Sequence, residues 1–159
     1  LIPAYVAWQR AREAEGWRYA EGEAGRTADL GPVTLRGRLD RVDRRETAAG
    51  AEFAVLDYKT QSERALRDRI EVPGEDVQLP SYALLQGAVS ETAFLSLDQE
   101  KPAPVAPKIE PADLAAQERE RLIAVFGSVR AGSKLPAQGD DRTCAWCEMQ
   151  GLCRKAYWA

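Results

Sequence analysis

Residues 37–60 read GRLDRVDRRETAAGAEFAVLDYKT, two stretches in which apolar and charged residues alternate, joined at Ala48, Ala49 and Gly50. Alternation of this kind commits a chain to β-structure, because successive side chains of a strand point to opposite faces. In 53–59, Phe53, Val55, Asp57 and Lys59 fall on one face and Ala54, Leu56 and Tyr58 on the other. A carboxylate and an ammonium two positions apart on one strand lie roughly 7 Å apart along the chain. That spacing leaves room for a metal ion on Asp57 and a water molecule between the ion and Lys59. Asp40, in the arginine-rich strand before the turn, offers a second hard oxygen ligand. Mg2+ is held by one or two carboxylates together with retained waters and substrate phosphate, so two aspartates are enough to begin a site.

The charge distribution supports an anionic substrate at this place. The chain carries a formal net charge of −3, which argues against a strongly basic, non-specific nucleic-acid binder. Between Val33 and Arg45, however, Arg36, Arg38, Arg41, Arg44 and Arg45 stand against Asp40 and Asp43 alone. Such a segment either draws phosphate towards the strand that holds the metal ligand or is a solvated face of an exposed sheet. Arg38 shares a face with Asp40 and is the better candidate for a phosphate contact; Arg41 is a second. There is no histidine, which excludes histidine-based nucleases, His-containing zinc sites and Ser/His or Cys/His triads within these residues. Hydrolysis here must use carboxylates, lysine and metal.

The remaining pattern predicts a mixed α/β order. Pro3 suits a first helical position, Ala4, Ala7, Trp8, Ala11 and Ala14 recur at helical spacing, and Gly16 can end the helix. Strands are expected over 23–30, 33–43 and 51–59, the first two joined at Leu30-Gly31-Pro32. Ser62, Glu63 and 65–70 suggest a short capped helix or an ordered loop, broken at Pro73-Gly74. A longer helix follows over 75–89 and a fourth strand over 91–97. The prolines of 100–111 predict a loop or linker. Leu114, Leu122, Val125, Phe126 and Val129 predict a core-facing stripe on a helix over 113–130. The chain of 159 residues, 45% apolar, suffices for one core and is expected to form a single domain, with 1–130 as core and 131–159 as a cysteine-containing segment. No apolar stretch is long enough to span a membrane and no signal-peptide pattern opens the chain. It begins Leu-Ile-Pro without Met, as expected of a piece of a longer polypeptide.

Two further constellations stand outside the hairpin. Gln78 and Tyr82, four apart, share a helix face, either as a surface or core pair or as hydrogen-bonding groups directed at a phosphate or at Lys59. Cys144, Cys147 and Cys153 are the only cysteines and can serve zinc or an iron–sulfur cluster, each of which ordinarily needs four ligands. Their odd number and the lack of a secretory signal disfavour a disulfide framework.

Gly37-Arg38-Leu39-Asp40-Arg41-Val42-Asp43, Leu56-Asp57-Tyr58-Lys59-Thr60, Gln78-Leu79-Pro80-Ser81-Tyr82 and the terminal cysteines, in that order, resemble the RecB-type branch of the PD-(D/E)xK nuclease superfamily over nearly the whole chain. The resemblance implies a restriction-endonuclease-like core with a central mixed sheet of about four strands flanked by helices. It implies Asp40, Asp57 and the Tyr58 carbonyl as metal ligands, Lys59 as the catalytic lysine, and Gln78 and Tyr82 as a Gln-x-x-x-Tyr motif. Glu23 matches the upstream acidic residue, with Glu21 as the alternative. It also implies a [4Fe–4S] cluster on three C-terminal cysteines and a fourth far upstream; that fourth is absent here, so the cluster is expected to be incomplete. The activity implied is Mg2+- or Mn2+-dependent hydrolysis of DNA phosphodiesters by an exonuclease acting on broken ends in the cytoplasm, beside a helicase partner subunit. An inactive nuclease fold that binds DNA ends or a helicase partner, or a zinc-ribbon interaction domain, are the alternatives.

Overall fold

The computed structural model describes residues 2–71, 76–98, 101–134 and 141–153. Its elements run α1 (Ile2–Ala14), β1 (Arg18–Asp29), β2 (Thr34–Thr47), β3 (Gly50–Lys59), α2 (Glu63–Glu71), α3 (Gln78–Gln86), β4 (Glu91–Ser96), β5 (Ala103–Val105), α4 (Pro111–Arg130), α5 (Asp141–Ala145) and α6 (Gln150–Cys153). The chain divides into two compact units, Leu1–Ile123 and Ala124–Ala159. The first contains the sheet and α1 to α3 with most of α4; the second contains the end of α4, α5 and α6.

The sheet has the order β1-β2-β3-β4-β5. All neighbours are antiparallel except β3 and β4, which run parallel. The mixed α/β architecture is thus the expected one, with a fifth strand added. Ala103–Val105 lies in the proline-rich stretch that reads as linker. Pro104 is accommodated because β5 is an edge strand, where a missing N–H breaks no interior ladder. The stretch 18–22, expected to precede the first strand, pairs with β2. Pro73-Gly74 and the predicted helix start at 75 lie outside the described residues. Among the described residues no helix is long and apolar enough to cross a membrane.

Helix α1 ends as the sequence indicates. Gly16 takes φ +93, its N–H reaches the Glu13 carbonyl and that of Trp17 reaches Arg12, a Schellman pair that a left-handed glycine permits. Its packed face differs from the expected alanine stripe, since Ala7, Ala11 and Ala14 are exposed. The face on the sheet is Tyr5, Trp8, Gln9 and Arg12. The reason lies in its partner surface: β2 presents the buried charges Arg41 and Asp43 there, so hydrogen-bonding and aromatic groups are what it can bury without penalty.

On the other face, α3 lays Tyr82 and Leu85 over Ala24, Leu39, Val42 and Val55. The approach is close: a side-chain carbon on Gly37 would come within 2.6 Å of Leu85 Cδ1, so a larger residue there would make Leu85 shift. A second cluster joins Leu66 of α2, Leu79 of α3, Phe94 and Val105. On α4 only Leu114 and Glu118 are buried. Val125 and Phe126, expected in the core-facing stripe, are 44% and 42% exposed, because periodicity identifies an apolar side but does not supply an element to cover it.

Candidate active site

The β2–β3 ladder runs from Thr47–Gly50 to Arg41–Leu56 and stops. Asp40 and Asp57 would form the next pair. Strand β2 also changes face here: Leu39 and Val42 both pack under α3, although residues three apart on a regular strand face opposite ways. Asp40 sits at the change. Its Oδ2 accepts the Tyr58 N–H at 3.3 Å, so a side chain takes over where the backbone ladder ends. The Phe53 and Lys59 carbonyls accept from Ser90 and Leu97 on the β4 side. Backbone groups alternate sides along a strand, which directs the Tyr58 carbonyl into the gap beside Asp40.

Asp57 is 1% exposed and its two oxygens are treated differently. Oδ1 accepts from Gln78 Nε2 at 2.7 Å and from the Tyr82 hydroxyl at 3.0 Å, and Gln78 Nε2 also lies 2.9 Å from that hydroxyl. The helical spacing of Gln78 and Tyr82 therefore converges on one carboxylate oxygen. Oδ2 forms an ion pair with Lys59 Nζ at 2.5 Å and has no other partner among the described residues. The site thus holds a buried carboxylate oxygen that the protein neutralises by charge but does not saturate.

Burial raises the pKa of Asp40, and the nearby charge of Asp57 pushes it further up; the Tyr58 N–H and Lys59 act in the opposite direction. Tyr82 is pushed up to about 12 by burial and by Asp57, against the Gln78 hydrogen bond, and so keeps its proton. A protonated Tyr82 is a donor to Asp57.

Among the two acidic candidates of β1, Glu23 is the one opposite Asp40, bracketed by the pairs Gly22–Arg41 and Ala24–Leu39. It is the sole non-glycine residue with positive φ, at 52°, among the described residues, a conformation that costs roughly 1–2 kcal/mol per residue. Its carboxylate pairs with Arg38 Nη1 at 3.2 Å, both side chains being about two-thirds exposed. Glu21 instead pairs with Arg26. Among the described residues no three His, Cys, Asp or Glu side chains gather in metal-holding geometry, so neither Glu23 with the two aspartates nor the three cysteines forms such a group.

Arg41, expected at the substrate, is 2% exposed on the opposite face. It donates to Asp43 at 2.7 and 3.0 Å, to Tyr5 and Tyr58 hydroxyls at 2.8 and 3.1 Å and to Gln9 at 2.7 Å. It pairs with Leu56, on the face opposite Asp57, and is enclosed there under α1, away from the Asp40 and Asp57 carboxylates. Cys144, Cys147 and Cys153 lie in the second unit, on or beside α5 and α6.

Arg69 and Asp76 carry no motif of their own, and both adjoin the site through Gln78. Asp76 Oδ1 accepts the Gln78 N–H at 2.9 Å, an Asx turn that starts α3, for which Asp-x-Gln is the only signal. Arg69 is paired with Asp76, reaches Gln78 Oε1 at 3.5 Å and lies over the Phe94 ring.

No curated protein matches the sequence. A solved structure described as "Crystal structure of SSO0001" is similar at 16% identity with a TM-score of 0.41, over 96% of this chain and 66% of that one. The chain thus spans about two thirds of that protein's length. A profile of the PD-(D/E)XK nuclease superfamily matches residues 1–154, across the strands and helix that carry Asp40, Asp57, Lys59, Gln78 and Tyr82, and the chain accordingly belongs to the PD-(D/E)XK nuclease superfamily.

Proposed function

We infer that this chain is a Mg2+- or Mn2+-dependent deoxyribonuclease domain. In this reading it is an exonuclease of the RecB type that processes DNA ends for double-strand-break repair, similar to the nuclease domain of the bacterial repair protein AddB. The observation that carries the reading is Asp57, a buried carboxylate next to the end of the β2–β3 ladder, whose Oδ2 has the Lys59 ammonium as its one partner among the described residues. A carboxylate oxygen with a lone pair to spare, together with Asp40, is a donor set that a hard divalent cation takes. Asp40, Asp57 and the Tyr58 carbonyl would hold the ion, which supplies Lewis acidity and lowers the pKa of water beside it.

The protein's own groups do the rest. Gln78 and Tyr82 occupy Oδ1 of Asp57 and so fix the carboxylate, with Oδ2 towards Lys59. Lys59 extends from the same strand face; its ammonium lies 2.5 Å from Asp57 Oδ2 and 5.2 Å from the Phe94 ring centre. It orients the attacking oxygen and stabilises charge that develops on the phosphate. Arg38 is the exposed cation next to Asp40. Its pair with Glu23 is solvated and worth about 0–1 kcal/mol, so a phosphate oxygen can replace the carboxylate. The domain reading is one nuclease core followed by a cysteine segment. In it, Cys144, Cys147 and Cys153 supply three ligands of a [4Fe–4S] cluster, the fourth lying upstream in a longer helicase-associated parent that acts in the cytoplasm.

The test is cleavage of end-labelled single-stranded and duplex DNA with Mg2+, with Mn2+ and with EDTA. Metal-dependent release of short products that disappears in Asp57→Ala, with an unchanged circular dichroism spectrum, is the expected result. DNA binding without cleavage under every metal condition would replace the enzyme reading with that of an inactive end-binding module.

A further inference from the structure

Two cations share one aromatic ring at the edge of the site. Lys59 Nζ lies 5.2 Å and Arg69 Cζ 5.0 Å from the centre of Phe94, which is fully buried. Like charges repel, and each has one carboxylate, Asp57 for Lys59 and Asp76 for Arg69. Those carboxylates are 1% and 3% exposed, whereas the cations keep 20% and 39% of their side chains open. The acceptors are buried and the donors still face solvent. Arg69 uses Nε on Asp76 and Nη2 on Gln78, and Nη1 has no protein acceptor among the described residues. Its stem is fixed by Phe94 and Asp76, so the guanidinium is held in place, with one edge unspent among the described residues, one amide away from Asp57. A planar fork with free N–H groups is suited to a phosphate.

Resting on the nuclease reading above, we propose that Arg69 is a second phosphate contact of this site, binding the phosphate next to the one that Lys59 addresses on the same strand. Arg69 positions the strand and touches none of the reacting atoms. The pair with Asp76 keeps the guanidinium from collapsing onto Asp57 when the site is empty of nucleic acid.

Each phosphate contact contributes about 0.7 to the slope of log affinity against log salt for a single strand and about 0.9 for duplex DNA. The experiment measures binding of a fluorescein-labelled single-stranded oligonucleotide by anisotropy across a salt series, with Ca2+ in place of Mg2+ to suppress turnover. Arg69→Ala is expected to lower the slope by about 0.7 and to raise KM several-fold in Mg2+ with kcat little changed. Arg69→Lys should restore most of the slope. Arg67→Ala, two positions along α2 and paired with Glu63 on the surface, is the control and should leave it unchanged. If Arg69→Ala does not fold, Arg69→Gln removes the charge while keeping a donor for Asp76, and the same loss of slope is expected. Wild-type protein that binds no DNA overturns this proposal together with the nuclease reading. Wild-type binding with an unaltered slope in the Arg69 variants, or an equal loss in Arg67→Ala, overturns the Arg69 contact alone.

Discussion

The two faces of β2 and β3 carry two charged clusters built from neighbouring residues, and they are finished differently. Beneath α1, Asp43 is fully buried and receives Arg12 Nε at 2.6 Å and Arg41 Nε at 2.7 Å, while the remaining guanidinium groups reach Glu91, Gln9, Tyr5 and Tyr58. Trp8 and Trp17 stack on the same arginines. Every carboxylate oxygen there has a donor. Beneath α3, Asp57 is buried as deeply, yet one oxygen has only the Lys59 ammonium among the described residues, and its neighbour Asp40 is held at a raised pKa by burial and by that same charge. The carboxylates beneath α1 are a structural joint, even though Arg45 Nε over Trp17 is a buried donor without an acceptor among the described residues; the Asp57 oxygen that meets Lys59 alone keeps room for a further cation. Burial alone does not separate the two. The accounting of donors and acceptors does.

The contrast can be broken first at Asp43. Asp43→Ala should cost about 3–5 kcal/mol, since it leaves Arg12 and Arg41 buried without their carboxylate. Urea unfolding measures this, and a loss under about 1 kcal/mol would remove the distinction between the faces. Lys59→Ala should tell on rate instead, with DNA affinity nearly unchanged and turnover reduced on the order of 100-fold, about 2.7 kcal/mol in the transition state. Equal losses in DNA affinity and in rate would make Lys59 a plain phosphate contact. Tyr82→Phe keeps the ring in the core and removes one donor to Asp57, so cleavage should slow by roughly tenfold, about 1.4 kcal/mol, while the thermal midpoint holds. A silent change in cleavage would assign Tyr82 to packing alone.

The smallest effect concerns Asp40 and depends on pH. Its folded-state pKa is raised, so the folded state takes up a proton before the unfolded chain as pH falls, and ionised Asp40 opposes folding at neutral pH. Asp40→Asn should therefore stabilise the metal-free chain at neutral pH, by less than about 1 kcal/mol for a group partly in solvent. The gain should fade as pH drops through the folded pKa towards the ordinary carboxylate range. Destabilisation by Asp40→Asn at neutral pH without metal would show that the carboxylate is structural, as Asp43 is.

Much of this was legible in the sequence because it is local. Period-two alternation in 53–59 determined that Asp57 and Lys59 share a face and Tyr58 does not, and the four-residue spacing of Gln78 and Tyr82 determined that they act from one side of a helix. Gly16 ended α1 by a backbone conformation that needs no tertiary partner. The misreadings are all questions of partners. Alternation already set Arg41 on the face opposite Asp40, but which face an arginine would be buried on, and by which groups, depended on where α1 lies. The alanines of α1 have the right spacing for a buried stripe, but the charges on β2 selected the other side of the helix. Pro104 argues against a strand until β4 offers it an edge. Sequence alone fixed which residue types stand at which spacing, because pleat and helix pitch are properties of the backbone. Which carboxylate is saturated and which is left open was decided only by the tertiary structure, because hydrogen-bond satisfaction depends on donors from α1 and α3, brought to the strands from 31 and 21 residues away in the chain.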